Sequence, residues 1–235
     1  MAIPPGEAHS ITLPIVFILD CDNTLLDNDT LKADMDRRLG EQFGEETRAR
    51  FWAVYEAVRE ETGTVDLPLT FERLRPSLPD EQTFEQLRAV IMDYPFETQL
   101  YPNTLATLRH LHAIGLPVIV SDGDSSYQPR KIDRSGLADA VDNQVIIYIH
   151  KEEHLAEIQT RWPASFYVLV DDKPRILAET KRLRPDRFVT VLVRQGHYAS
   201  AGSEGPYTPT PDIILDSIGE LRQLDVTTLE RHLAR

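Results

Sequence analysis

Four short stretches of this chain hold side chains that could do chemistry together. Asp20-Cys21-Asp22-Asn23-Thr24 sets two carboxylates two positions apart. Ser121-Asp122-Gly123-Asp124, His150-Lys151 and Asp171-Asp172-Lys173 add a hydroxyl, lysines and two adjacent acids. Carboxylates gathered this densely repel one another unless a cation neutralises them. Hard oxygen donors with one or two protein carboxylates suit Mg²⁺, which keeps several waters and takes phosphate oxygens from a substrate. A lone Asp-x-Asp is more often a turn or a helix cap than a reacting pair, so what positions these residues decides their meaning.

Each stretch follows a short apolar run rich in β-branched residues. The runs are Ile15–Leu19, Pro117–Val120, Val145–Ile149 and Phe166–Val170, with Phe188–Val193 and Ile213–Leu215 further on. Runs apolar almost throughout are expected for strands of a parallel sheet covered on both faces. Helical spacing lies between them. Leu105, Leu108, Leu111 and His112 form one stripe, which Gly115 should stop; Ile176, Leu177 and Leu183 mark another, which Pro185 ends. Strands alternating with single helices predict an α/β fold with a doubly wound, Rossmann-like parallel sheet. In such sheets ligands bind beyond the carboxyl ends of the strands, which is where all four stretches fall.

One interval breaks the alternation. From Asn28 to Glu97 only helical patterning is present: Leu31, Met35, Leu39 and Phe43 in one stripe, Phe51, Val54, Tyr55 and Val58 in a second, and a helix over Glu81–Met92. Residues 63–79, with three prolines, read as a loop. The block has 9 basic and 16 acidic residues, a net −7. It predicts an acidic helical insertion over 28–97, with 1–27 and 98–235 forming the core. Ser200–Pro211 reads as a flexible surface loop.

The 235 residues suit one medium domain with such an insertion. A net charge of −13 disfavours nucleic acid and anionic membranes as partners. A small phosphorylated molecule is not disfavoured, because a metal and a few local cations can overrule the average. The single cysteine, Cys21, excludes an intrachain disulfide and any cysteine-rich zinc site. Met1–Ser10 lacks basic residues and a long apolar stretch, so no signal peptide is expected, and no run is long enough to span a bilayer. Together these predict a cytoplasmic protein, as a monomer or homodimer.

The four stretches, in order and at strand ends, resemble the motifs of the haloacid dehalogenase-like hydrolases. Asp20-x-Asp22-x-Thr24 is similar to the first motif, Ser121 to the second-motif hydroxyl, Lys151 to the third-motif base and Asp171-Asp172 to a paired-acid fourth motif. The helical block over 28–97 falls where this superfamily inserts a cap. The resemblance implies that Asp20 is a nucleophile forming an aspartyl-phosphate. It implies that Asp22 protonates the leaving oxygen and then deprotonates water, a turn at Cys21 aiming both carboxylates at one pocket. Thr24, Ser121, Asp122 and Lys151 would line the phosphate site, Thr24 by shaping the turn. Mg²⁺ would meet Asp20, the Asp22 carbonyl and a fourth-motif acid, either Asp171 or Asp172. Lys131 is the fallback for the third motif. An acid at position 22 favours phosphoryl transfer over dehalogenation, because a halide leaves without a proton. Ser-Asp-Gly in place of the commoner Thr-Asn-Gly, and the lack of a further acid soon after Asp172, depart from the family pattern.

The expected activity is therefore a Mg²⁺-dependent phosphatase acting on a small phosphorylated metabolite. Phosphotransfer, phosphomutase or dehalogenase chemistry on the same core, and a catalytically silent binder, are the alternatives. His150-Lys151-Glu152-Glu153-His154 also matches a zinc-protease pattern. That reading needs both histidines on one helix face, whereas His150 directly follows an apolar strand. Phe43, Phe51, Trp52, Tyr55 and Phe71 should pack within the insertion, and Arg37-Arg38 should be solvated.

Overall fold

A computed structural model describes residues 13–200 and 207–233. Met1–Ser10 and residues 201–206 of the expected surface loop lie outside the described residues. Among those described, six strands form one parallel sheet: β1 (Leu13–Leu19), β2 (Leu116–Asp122), β3 (Val145–Tyr148), β4 (Ala164–Asp171), β5 (Phe188–Val193) and β6 (Ile213–Leu215). Their order is β3-β2-β1-β4-β5-β6. The sheet is doubly wound, and the winding reverses between β1 and β4, where such folds bind their ligands.

The helices are α1 (Asn28–Thr62), α2 (Leu67–Leu74), α3 (Glu81–Met92), α4 (Thr104–His112), α5 (Tyr127–Arg134), α6 (Leu137–Ala140), α7 (Leu155–Arg161), α8 (Pro174–Leu183), α9 (Gly196–Ser200) and α10 (Val226–Leu233). Successive strand residues point to opposite faces, and two buried clusters follow. Ile15, Phe17, Leu19, Val168 and Val170 pack with Leu108 and Leu111 of α4 and Leu229 of α10. Val16, Ile18, Tyr167 and Leu169 pack with Ile158 of α7 and Ile176 and Leu177 of α8. At the sheet edge β3 is only half-buried, and Ile149 beyond it is 55% exposed. The uniform apolar run there does not signal burial on both faces.

Gly115 does not act as the left-handed stop that its place after α4 suggested. A β-carbon there would lie 2.8 Å from the Ile15 carbonyl oxygen and from Phe17. The residue is small because the chain turns into β2 directly against β1.

Residues 28–99 contain no strand. The two apolar stripes read from sequence form the two halves of α1, separated where Gly44 leaves helical geometry (φ 81°, ψ 164°). Residues 63–79 depart from the loop expectation, because α2 occupies Leu67–Leu74. Pro68 sits in its first turn, where the missing N–H costs nothing, and the Asp66 carboxylate accepts the Leu69 N–H at 2.9 Å as N-cap. Phe51, Tyr55 and Phe71 are buried together within the block. Arg37 and Arg38 are engaged with Asp34 on their own helix. The chain enters and leaves the block side by side: Asp27 N–H donates to the Gln99 carbonyl at 2.8 Å, and Tyr101 N–H to the Leu25 carbonyl at 3.1 Å.

Candidate active site

The sheet register sets the level of each chemical group. Leu19 pairs with Val170 of β4 and with Ile119 of β2. The residues that follow, Asp20, Asp171 and the Val120-Ser121 pair, therefore emerge together at one end of the sheet. The Asp20 N–H still donates to the Val170 carbonyl at 3.0 Å, so its side chain is fixed before the chain turns away. Asp20, Ser121, Lys151, Asp171 and Asp172 are all buried.

A tight turn follows Asp20. The Cys21 carbonyl accepts N–H groups from Thr24, Leu25 and Leu26 at 3.3, 2.9 and 3.0 Å. Asn23 sits in the left-handed region (φ 58°), which asparagine tolerates better than most residues. Its side-chain oxygen accepts the N–H groups of Asn28 and Asp29 at 3.0 and 3.2 Å, joining the turn to the first residues of α1. Thr24 is buried in this turn; its backbone carbonyl accepts from the Gln195 amide at 3.1 Å, and its hydroxyl has no partner. The Cys21 thiol is buried, and burial with Asp22 beside it raises its pKa well above the ordinary value. The raised value disfavours the reactive thiolate.

Lys151 binds the acids together. Its ammonium hydrogen-bonds one oxygen of Asp20 and pairs with Asp171 at 2.6 Å. Burial alone would lower its pKa, but Asp171, Asp20 and Asp122 outweigh that and hold it well above the ordinary value, so it stays cationic. Asp122 has a task that the sequence did not show. Its carboxylate accepts the Lys151 backbone N–H at 2.8 Å and so positions the lysine. Ser121 accepts from the Gln128 side-chain amide at 2.9 Å and donates its hydroxyl hydrogen to the Asp122 carbonyl across a long 3.5 Å.

Asp171 and Asp172 differ in what they have left to give. Asp171 holds Lys151 with one oxygen and accepts the Lys173 N–H at 2.9 Å with the other. Asp172 is buried with both oxygens unpartnered, and one oxygen of Asp20 is also unpartnered. Carboxylate oxygens of Asp20, Asp171 and Asp172 lie within 4.8 Å of one another, the one such group among the described residues. Burial, then the charges of Asp171 and Asp20, push the Asp172 carboxyl up to about 9. Burial raises Asp20 to about 6, with Lys151 opposing. A buried carboxylate with no partner is costly, and a hard divalent cation would relieve that cost. The donor set therefore fits such an ion, with Asp172 the acid freest to ligate. The Asp22 carboxylate is not part of this group.

Asp22 turns instead to Lys131. The Lys131 ammonium, 2% exposed, lies 2.5 Å from Asp22 and 3.2 Å from the Asn28 side-chain oxygen. Burial would raise the Asp22 carboxyl, but Lys131 outweighs it and holds the group below its ordinary value. Among the expected site residues, sequence reasoning ranked Lys131 behind Lys151 and passed over Gln128. Both lie on α5 three positions apart, hence on one face, and that spacing was the available signal.

The zinc pattern does not assemble. His150 has extended backbone (φ −138°, ψ 86°) and Lys151–His154 is a short 3₁₀ turn. His154 stacks on Tyr148 and pairs with Glu157 at 3.3 Å, while Lys151 points to Asp20.

A family model described as haloacid dehalogenase-like hydrolase matches residues 16–170. The chain belongs to the haloacid dehalogenase-like hydrolase family. A solved haloacid dehalogenase-like hydrolase from Burkholderia xenovorans is 45% identical, covers 90% of this chain and 99% of its own, and superposes with a TM-score of 0.81. A haloacid dehalogenase-like family hydrolase from Xanthomonas campestris shares the fold at 14% identity, with 95% of this chain and 99% of that one covered and a TM-score of 0.61. A hydrolase of the same fold from Bacillus subtilis, solved with magnesium, is 16% identical over 90% of this chain and 98% of its own, with a TM-score of 0.56. No functionally curated protein matches the chain. Among the described residues no helix is long and apolar enough to cross a membrane.

Proposed function

We propose that this hydrolase is a Mg²⁺-dependent phosphatase that cleaves a small phosphorylated metabolite through an aspartyl-phosphate on Asp20. The observation that carries the reading is the division of labour between two acids two residues apart. One oxygen of Asp20 is held by Lys151 while the other has no partner. Asp22 is a quarter exposed and anchored separately by Lys131. A halide leaves without a proton, so an anchored second acid has a use in phosphoryl transfer that it lacks in dehalogenation.

The unpartnered Asp20 oxygen attacks phosphorus, and the bond from phosphorus to the ester oxygen breaks as the Asp22 proton passes to that oxygen. The phosphate's negative charge near Asp22 favours its protonated form at this stage. In the second half Asp22 takes a proton from the attacking water, a new oxygen–phosphorus bond forms and the Asp20–phosphorus bond breaks, releasing phosphate. Lys151 neutralises charge on Asp20 and the transferring group, and Ser121 donates to a phosphoryl oxygen. Mg²⁺ held by Asp20 and Asp172 supplies stabilisation of the charge that develops on phosphoryl oxygens. Residues 28–97 act as a cap over this site, with 1–27 and 98–235 as the core. The single buried thiol suits a reducing, cytoplasmic setting.

Purified protein with Mg²⁺, assayed against a panel of phosphate esters and of 2-haloacids, tests the reading. Phosphate release that disappears in Asp20→Asn is expected; halide release without phosphate release would refute it.

A further inference from the structure

A cavity of about 350 Å³ opens beside the cluster of acids and is lined by Gly63, Asp122, His150, Lys173, Arg175 and Tyr198 among others. Three of these six lie close to site residues in sequence: His150 precedes Lys151, Lys173 follows Asp172, and Arg175 comes two positions after Lys173. The volume suits a small metabolite. In a chain with net charge −13, three side chains that can be cationic on one cavity wall are a local reversal of the average.

The three are not equivalent. Arg175 is paired with Glu152 at 2.7 Å, so its charge is already answered. The Lys173 ammonium has no carboxylate within ion-pair distance among the described residues; the Tyr198 ring lies 5.7 Å away, and burial is outweighed by the charges of Asp20, Asp171 and Asp172, which keep it cationic. His150 is exposed, and an imidazole offers an N–H in either tautomer. Asp122, on the same wall, opposes strongly negative groups. One positive charge in no ion pair, a neutralised arginine and a nearby carboxylate match a single negative charge. A second phosphate would bring two.

We propose that this cavity is a carboxylate subsite, in which Lys173, aided by His150, selects a phosphorylated acid whose carboxylate lies close to the esterified oxygen. The inference rests on the phosphatase reading and narrows its substrate class. Lys173 is then a specificity residue in contact with the leaving group, separate from the lysine that meets the phosphate.

The test compares 2-phospholactate with its carboxyl methyl ester, which has the same phosphate and carbon skeleton without the second charge. In wild-type protein with Mg²⁺, kcat/KM for the acid is expected to exceed that for the ester by about 10- to 100-fold, the range of a charge-assisted hydrogen bond. In Lys173→Met the ratio should collapse toward one, mainly through a higher KM for the acid, and Lys173→Arg should restore part of it. Equal use of acid and ester by the wild type overturns the subsite without any variant, as does a ratio unchanged in Lys173→Met. If neither compound is hydrolysed while other phosphate esters are, the subsite is wrong and the phosphatase reading stands. If no phosphate ester is hydrolysed, both fall.

Discussion

Lys131 on α5 reaches Asp22 at 2.5 Å, crossing from the loop-and-helix after β2 to the turn after β1. The pair fixes the direction of a carboxylate that no other ion pair among the described residues holds. It also touches Asn28, the first residue of α1. One buried amine therefore ties the expected proton-transfer group to the start of the helical block.

Lys131→Met should lower kcat for phosphate release roughly 10- to 100-fold, because Asp22 loses its orientation and a positioned acid–base group contributes on the order of 10²–10⁴. Steady-state kinetics check this. A kcat within threefold of wild type would show that Asp22 needs no such anchor.

Asp20→Asn should reduce phosphate release by at least about 10⁴-fold, the scale seen when a nucleophile is removed. The fold should persist, since the change removes one of several crowded negative charges; circular dichroism and the melting temperature monitor this.

Mg²⁺ should stabilise the protein by binding the folded state. At about 100 times its dissociation constant the gain is roughly 2.7 kcal/mol, or about 5–10 °C in melting temperature for a chain of this size. Asp172→Asn should remove most of that increment, whereas Glu179→Gln, a half-buried acid paired with Arg182 later on α8, should leave it intact. Equal increments in wild type and Asp172→Asn count against Asp172 as a ligand.

Gly196→Ala should cost about 1–3 kcal/mol. Gly196 has a left-handed backbone (φ 67°), and an added β-carbon would come within 2.4 Å of Asn23. Because Asn23 holds the first N–H groups of α1, activity should fall along with the melting temperature. Thermal denaturation and phosphate release measured on the same preparation test both parts.

The strands were legible because six apolar runs of strand length are separated by helical spacing and end in polar residues. All six match their predicted limits to within two residues at each end, Phe188–Val193 and Ile213–Leu215 coinciding with β5 and β6. Other features depended on partners distant in sequence. Three prolines in 63–79 read as loop, yet Pro68 needs only an N-cap before it to start a helix, and Asp66 is that cap. Gly115 read as a helix stop because its true neighbour, Ile15, lies 100 positions away. The acid motifs were local and visible. The choice between Lys131 and Lys151 for each acid, and between Asp171 and Asp172 for a cation, depends on which oxygens remain free, a property of the packed site.

The paired crossings at Asp27–Gln99 and Tyr101–Leu25 have a consequence for how this fold can change. To the sheet, an excursion of some seventy residues presents the same two adjacent ends as a tight hairpin. A change in the block's length leaves these two ends, and so the strand register, in place, and closing a longer loop adds only about 0.6 kcal/mol per doubling. The helical block can therefore vary in length while the acids beyond the carboxyl ends of β1 and β4 stay where those strands put them.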